Sequence, residues 1–281
     1  MNLDLIRKDF PILETQVNGH QIVYFDNGAT TQRPLPVVNA VVDYVTHQNG
    51  NPHRGAHIFA ISASEAYDTS KEVVRDFIHA RSEKEIIYTR NTTESLNLVS
   101  RSYGETHLKK GDHILITIAE HHSNLVTWQR AAEKTGAVLD YIYIDKETGH
   151  FPEEELKKID DPRVKILAFA QVSNVLGVEF DPKPLIKRAH AHGAVVVLDG
   201  AQSTPHKQID VQDLDCDFFA FSGHKMCSMG GIGVLYAKEE LLDEMEPFLM
   251  GGDMIETVEE QTTTFAELPA KFEAGTQYVD C

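Results

Sequence analysis

Basic residues are scarce: 26 Lys and Arg stand against 43 Asp and Glu, a formal net charge of −17. A surface of that sign repels nucleic-acid phosphate and anionic lipid, which argues against both as partners and suits a cytoplasmic protein. Long apolar runs are lacking, and no stretch approaches the ~20 residues a membrane helix needs. The first ten residues carry Asp4, Arg7, Lys8 and Asp9 and do not read as a signal peptide. Cysteine is sparse as well. Cys216, Cys227 and Cys281 form no CxxC pair, so neither a disulfide framework nor a metal site is expected. What remains is ordinary for a globular chain: 42% apolar residues, and a length of 281 that suits one large or two ordinary domains.

Apolar, β-branched runs alternate with helical patterns. Strands are predicted at Glu85–Thr89, His113–Ile118, Val138–Ile144, Lys165–Ala170, Ala194–Leu198 and Asp217–Phe221. Helices fit between most of them. Ser123 can cap one that Gly136 ends, and Asp181 can cap another over Pro182–His192, ended by Gly193. Val37–Val45 reads as an amphipathic helix opened by Pro34 and Pro36, followed by a polar loop, Asn49–His57. Strands separated by helices make a parallel sheet covered on both faces. A further strand, Ile232–Tyr236, follows the last by too short a link for a parallel crossover, so it is predicted antiparallel and the sheet mixed. After Met250 the pattern loosens, and Phe272–Cys281 shows no closing helix.

Ligands of open parallel sheets sit beyond the carboxyl ends of the strands. The residues there are Thr92 and Thr93 opening a helix, His121 and His122, Asn174, Asp199, and Ser222-Gly223-His224-Lys225. Each has a plain explanation alone: an N-cap, surface histidines, turn formers, a solvated lysine. Jointly they place an anion site, a stacking imidazole, an amide, a carboxylate and an amine along one edge, as a pyridoxal phosphate site requires.

Eight stretches carry a family resemblance: Tyr24–Thr31, Asn51–His57, Arg90–Val99, Glu120–Gln129, Gln171–Gly177, Val197–Ser203, Phe218–Lys225 and Phe272–Thr276. In that order they resemble the class V aminotransferase-like enzymes, and among these the cysteine desulfurases of the SUF iron–sulfur system. The resemblance implies an α/β fold: the large domain of the fold type I pyridoxal phosphate transferases, with a mostly parallel mixed sheet and helices on both faces. Residues 1–20 would be an N-terminal helical segment, 21–265 the cofactor domain, and 266–281 the start of a connection to a small C-terminal domain that is largely missing.

The resemblance also implies roles. Lys225 holds pyridoxal 5′-phosphate as a Schiff base and moves the α-proton. Asp199 pairs with the ring nitrogen, Gln202 contacts the ring oxygen, and His121, a better match than His122, stacks on the ring. Thr93, Ser222 and His224 hold the phosphate. Thr276 reaches the phosphate of the other subunit of a homodimer, and Asn174 helps hold the substrate carboxylate. The substrate is L-cysteine, the products L-alanine and an enzyme persulfide, and the recipient a sulfur-acceptor protein of iron–sulfur assembly.

Two departures stand out. A Gly-Pro pair common after the family's lysine is absent from Met226–Gly231. No position matches the family's nucleophilic cysteine or its carboxylate-binding arginine, and Cys281 comes too early to be the former. Selenocysteine lyase, another class V reaction, or an inactive cofactor-binding fragment are the competing expectations.

Overall fold

The computed structural model describes residues 2–281. Two short hairpins flank the main sheet in sequence: β1 (Gln16–Val17) with β2 (His20–Gln21) before it, and β10 (Ile255–Val258) with β11 (Thr263–Phe265) after it. Between them run β3 (Ile86–Thr89), β4 (His113–Thr117), β5 (Val138–Ile142), β6 (Val164–Ala170), β7 (Val195–Asp199), β8 (Phe218–Ser222) and β9 (Gly233–Ala237). These seven form one sheet in the order β3-β9-β8-β7-β6-β4-β5. The predicted runs all became strands, and the inner ones, β4, β6, β7, β8 and β9, are buried on both faces with no polar side to show.

The sheet is α/β and mixed, as expected. β5, β4, β6, β7 and β8 pair in parallel, while β9 runs antiparallel to both β8 and β3. Each face has its own core. One gathers Leu115, Phe169, Leu198 and Phe219 under the helix Pro182–Ala191; the other gathers Ile114, Ala168, Val197 and Phe218 with Trp128. Alternate residues of one strand thus go to opposite cores, the period of the pleat. Among the described residues no helix is long and apolar enough to cross a membrane.

The helices needed more revision. α1 spans Leu3–Lys8, and α2 spans Leu35–His47, with Pro34 as its N-cap and Pro36 in its first turn. α3 (Ile58–Ile78, 21 residues) was not foreseen. Its buried stripe is Ala60, Ala63, Tyr67, Lys71 and Ile78, and a lysine and a tyrosine in that stripe hide the apolar period. The helix ended by Gly136 starts at Val126, and Ser123 is not its cap. A tight turn over His122–Asn124 precedes it instead, and the Ser123 N–H donates to His121 Nδ1 at 3.1 Å. Asp181 does cap Pro182–Ala191, through the Lys183 N–H.

Lys71 explains how α3 is held. It is 4% exposed and donates to Glu273 Oε1 at 2.5 Å and to the Ile86 carbonyl at 2.8 Å. Glu273 also accepts from the Tyr67 hydroxyl and, at 2.6 Å, from the Tyr88 N–H. Burial lowers the pKa of Lys71, and the charge of Glu273 opposes that. One carboxylate therefore ties α3 and β3 to the Phe272–Thr276 segment.

Breaking a buried pair from one side strands the other charge. Glu273→Ala should lower the unfolding free energy by about 3–5 kcal/mol, measured by urea denaturation followed by circular dichroism. A loss below about 1 kcal/mol, the range of exposed pairs, would refute this account.

Candidate active site

β7 and β8 are neighbours, and their carboxyl ends carry Asp199 and, three residues past Ser222, Lys225. Beyond this edge lies a cleft of about 700 Å³. Thr93, His121, Asn174, Asp199, Gln202, Ser222, His224 and Lys225 all line it. His122 does not, and lies with His121 along a shallower outer surface. Thr276 is exposed and lines a different cleft with Arg90 and Glu94, away from Lys225.

Asp199 is 4% exposed. Its carboxylate accepts one hydrogen bond, from the Ala201 N–H at 2.9 Å, and has no ion-pair contact among the described residues. Burial raises its pKa, while that hydrogen bond and the charges of Lys225 and His121 pull the other way. The turn after it must be glycine: a Cβ on Gly200 would lie 2.1 Å from the Phe219 ring. Lys225 is half-buried. Burial lowers its pKa, and Asp199 partly restores it. A cation beside Asp199 would relieve the cost of its burial, so the residues present fit a ligand with a protonated ring nitrogen.

His121 Nδ1 is engaged by the Ser123 hydroxyl at 2.7 Å, and burial, Lys225 and His122 lower its pKa. Beneath it lies a group the sequence reading passed over. Glu120 accepts from the Thr117 hydroxyl, from Asn124 Nδ2 at 2.6 Å and from the Ala170 N–H at 3.1 Å. Asn124 Oδ1 in turn accepts from Trp128 Nε1 at 2.8 Å. Burial pushes the Glu120 carboxyl up to about 8 against those hydrogen bonds, and Asp199 adds to the push. A glutamate next to a strand-end histidine was the available signal, masked by the two histidines after it.

At the other end of the cleft, Thr93 stands exposed in the first turn of α4 (Thr92–Leu98), whose N-cap is Asn91. Ser222 is buried, and its hydroxyl meets the Thr92 N–H at 2.7 Å and the Thr92 hydroxyl at 2.6 Å. β9 passes close by, because a Cβ on Gly233 would lie 2.5 Å from the Asn91 Cα. His224 Nδ1 lies 3.2 Å from the Thr30 hydroxyl, and burial, Lys225 and Arg33 lower its pKa.

The N-terminal stretch also reaches the site. Gln202 Nε2 donates to the Gly28 carbonyl at 2.7 Å, and Thr30 and Thr31 lie on the turn that carries Lys225. None of the three cysteines lines the cleft. Cys216 is fully buried, Cys227 sits on the lysine turn, and Cys281 lies on an apolar groove behind it.

The model of the class V aminotransferases matches residues 23–280, and the chain belongs to that family. Cysteine desulfurases are among the relatives it matches. A probable cysteine desulfurase of Halalkalibacterium halodurans is 48% identical over 99% of this chain and 68% of its own length. The cysteine desulfurase of Synechococcus elongatus is 48% identical over 96% of this chain. The chain spans 43% of that relative's length. The apo structure of a cysteine desulfurase from Thermococcus onnurineus superposes with a TM-score of 0.91 at 41% identity, over 99% of this chain and 67% of that one.

Trp128 is the chain's one tryptophan, fully buried and hydrogen-bonded through Asn124 to Glu120, so it can report that carboxyl's charge. Its emission should titrate with an apparent pKa near 8, and Glu120→Gln should abolish the step. The folded-state pKa lies above the ordinary 4.5, so the folded chain binds this proton more tightly. The associated stability is present in full below pH 4.5 and is lost as pH rises through about 8. The thermal midpoint of the wild type should therefore fall more steeply over this window than that of Glu120→Gln. Flat Trp128 emission between about pH 6 and 9.5 would rule the titration out.

Proposed function

We propose that this protein is a pyridoxal 5′-phosphate-dependent cysteine desulfurase, and that residues 21–265 form its cofactor domain. In the family reaction an enzyme thiol takes the sulfur of L-cysteine as a persulfide, L-alanine leaves, and that sulfur passes to an acceptor protein of iron–sulfur cluster assembly in the cytoplasm. Residues 1–281 supply the cofactor half of this reaction, and no cysteine among them lines the cleft. One observation carries the reading: a buried carboxylate and a half-buried amine end neighbouring parallel strands and face one polar cleft. Its relatives' names support the same reaction.

Pyridoxal phosphate supplies an electron sink for the charge left on an amino acid's α-carbon. The chain's residues would hold that group and move the α-proton. Desolvation keeps Lys225 closer to its neutral form, the form that can bond a carbonyl carbon and take the α-proton. Asp199, buried and without an ion-pair partner among the described residues, would hold a proton on the ring nitrogen by charge attraction. His121, its pKa lowered by burial, would stack on the ring, and Gln202, fixed by Gly28, would contact the ring oxygen. Thr93, Ser222 and His224 would hold the phosphate, and Asn174 would help hold the substrate carboxylate. Thr276 serves the phosphate of a second copy in a homodimer; its place outside the Lys225 cleft favours that over a role within its own subunit.

Lys225→Ala should lose the borohydride-fixed cofactor adduct completely, as intact mass reads directly. An adduct of undiminished yield in that variant would end the assignment. Asp199→Asn should keep most cofactor binding and lose about 10²-fold or more in exchange of the substrate α-proton, the scale of one misplaced electrostatic partner. Exchange at the wild-type rate would remove Asp199 from the role.

A further inference from the structure

Lys225 closes a single turn, Gly223–Lys225, and the chain beyond it runs Met226-Cys227-Ser228 without glycine or proline. Most of this turn satisfies itself. The Met226 and Ser228 N–H groups both donate to the Gly223 carbonyl, at 2.8 and 3.1 Å. The carbonyl of His224 and the N–H of Cys227, one on each side of the lysine, instead find their partner outside the turn. Cys227 is held at φ 65°, the left-handed region that a side chain disfavours, so the turn would relax if nothing gripped it.

The grip comes from a residue almost two hundred positions earlier. The Thr31 hydroxyl donates its one proton to the His224 carbonyl at 2.9 Å and accepts from the Cys227 N–H at 2.8 Å. The Thr31 N–H donates to the same carbonyl at 3.0 Å, and the Thr30 hydroxyl lies 3.2 Å from it. A single oxygen thus bridges the two sides of the lysine turn. Arg33 Nη1 fixes the bridging segment by donating to the Thr31 carbonyl at 2.5 Å.

We propose that Thr31 is a positioning residue for Lys225, its hydroxyl bridging the His224 carbonyl and the Cys227 N–H so that the lysine's backbone stays fixed while its side chain moves. The proposal rests on Lys225 being the cofactor lysine. The bridge is needed because a flexible four-carbon stem multiplies any drift of its base, and reaction at the amine depends on where that amine can reach.

Thr31→Val keeps the shape and removes the hydroxyl, whereas Thr31→Ser keeps the hydroxyl. Both would be compared with the wild-type 281-residue chain in two measurements. Backbone amide exchange at Cys227, without cofactor, should accelerate about tenfold in Thr31→Val, the scale of one lost hydrogen bond. Affinity for pyridoxal phosphate, titrated by absorbance, should weaken by about the same factor. Exchange in β6 and β7 should not change, and Thr31→Ser should match the wild type throughout.

Unchanged exchange at Cys227 in Thr31→Val would overturn the proposal, as would a Thr31→Ser as impaired as Thr31→Val. Faster exchange with unchanged affinity would also overturn it, by making the bridge a structural tie alone. Lys225→Ala, run alongside, separates this from the cofactor assignment. An adduct that persists there refutes the assignment of Lys225, whereas the exchange data judge the bridge without any cofactor.

Discussion

A carboxylate kept dry at the end of a central strand sets the terms for the rest of this molecule. Burying a charge without a partner is among the most expensive arrangements a fold can hold. Asp199 has one backbone hydrogen bond and, across the cleft, an amine that is itself losing its water. Each of the two pushes the other back toward its charged form, and neither is satisfied. The framework has to supply the rigidity that the pair does not. It does so with parallel strands locked on both sides of β7, a glycine turn flat against Phe219, and loops from distant sequence closing over the edge.

The contrast with Lys71 and Glu273 shows what that incompleteness means. There too a carboxylate and an amine are buried together, but every oxygen is used: Glu273 accepts from Lys71, Tyr67 and the Tyr88 backbone, and Lys71 also bonds the Ile86 carbonyl. Both carboxylate oxygens are taken, and the pair acts as a fastener between α3, β3 and the Phe272–Thr276 segment. The two buried carboxylates therefore divide by saturation. The filled one holds the fold, and the unfilled one faces the cleft, where perturbed groups gather at functional sites.

The same division explains what could be read from the sequence. The strands were legible because burial on both faces leaves continuous apolar runs, and the strand-end residues were legible because a parallel sheet collects them along one edge. α3 was hidden because its inward stripe carries Lys71 and Tyr67. Glu120 escaped because Thr117 and Asn124 are brought to it by the turn after β4, and Ala170 by the neighbouring strand β6. Gly28, Thr30 and Thr31 escaped for a simpler reason: their partners Gln202 and His224 are remote in sequence, and no local pattern announces such a contact. Ser123 was misplaced as a cap because the chain spends a tight turn before starting its helix.

The place of β9 has a consequence for how the chain is made. It is the last strand of the sheet in sequence, yet it lies between β8 and β3, the first. During synthesis β3 leaves the ribosome early and has no strand to pair with until residues 233–237 follow. Until then it presents an unpaired edge and the apolar side chains Ile86 and Ile87, a ready template for wrong partners. A nascent chain of this topology must be shielded for most of its translation, and a ribosome stalled before β9 would release a product that has every other strand of the sheet and cannot close it.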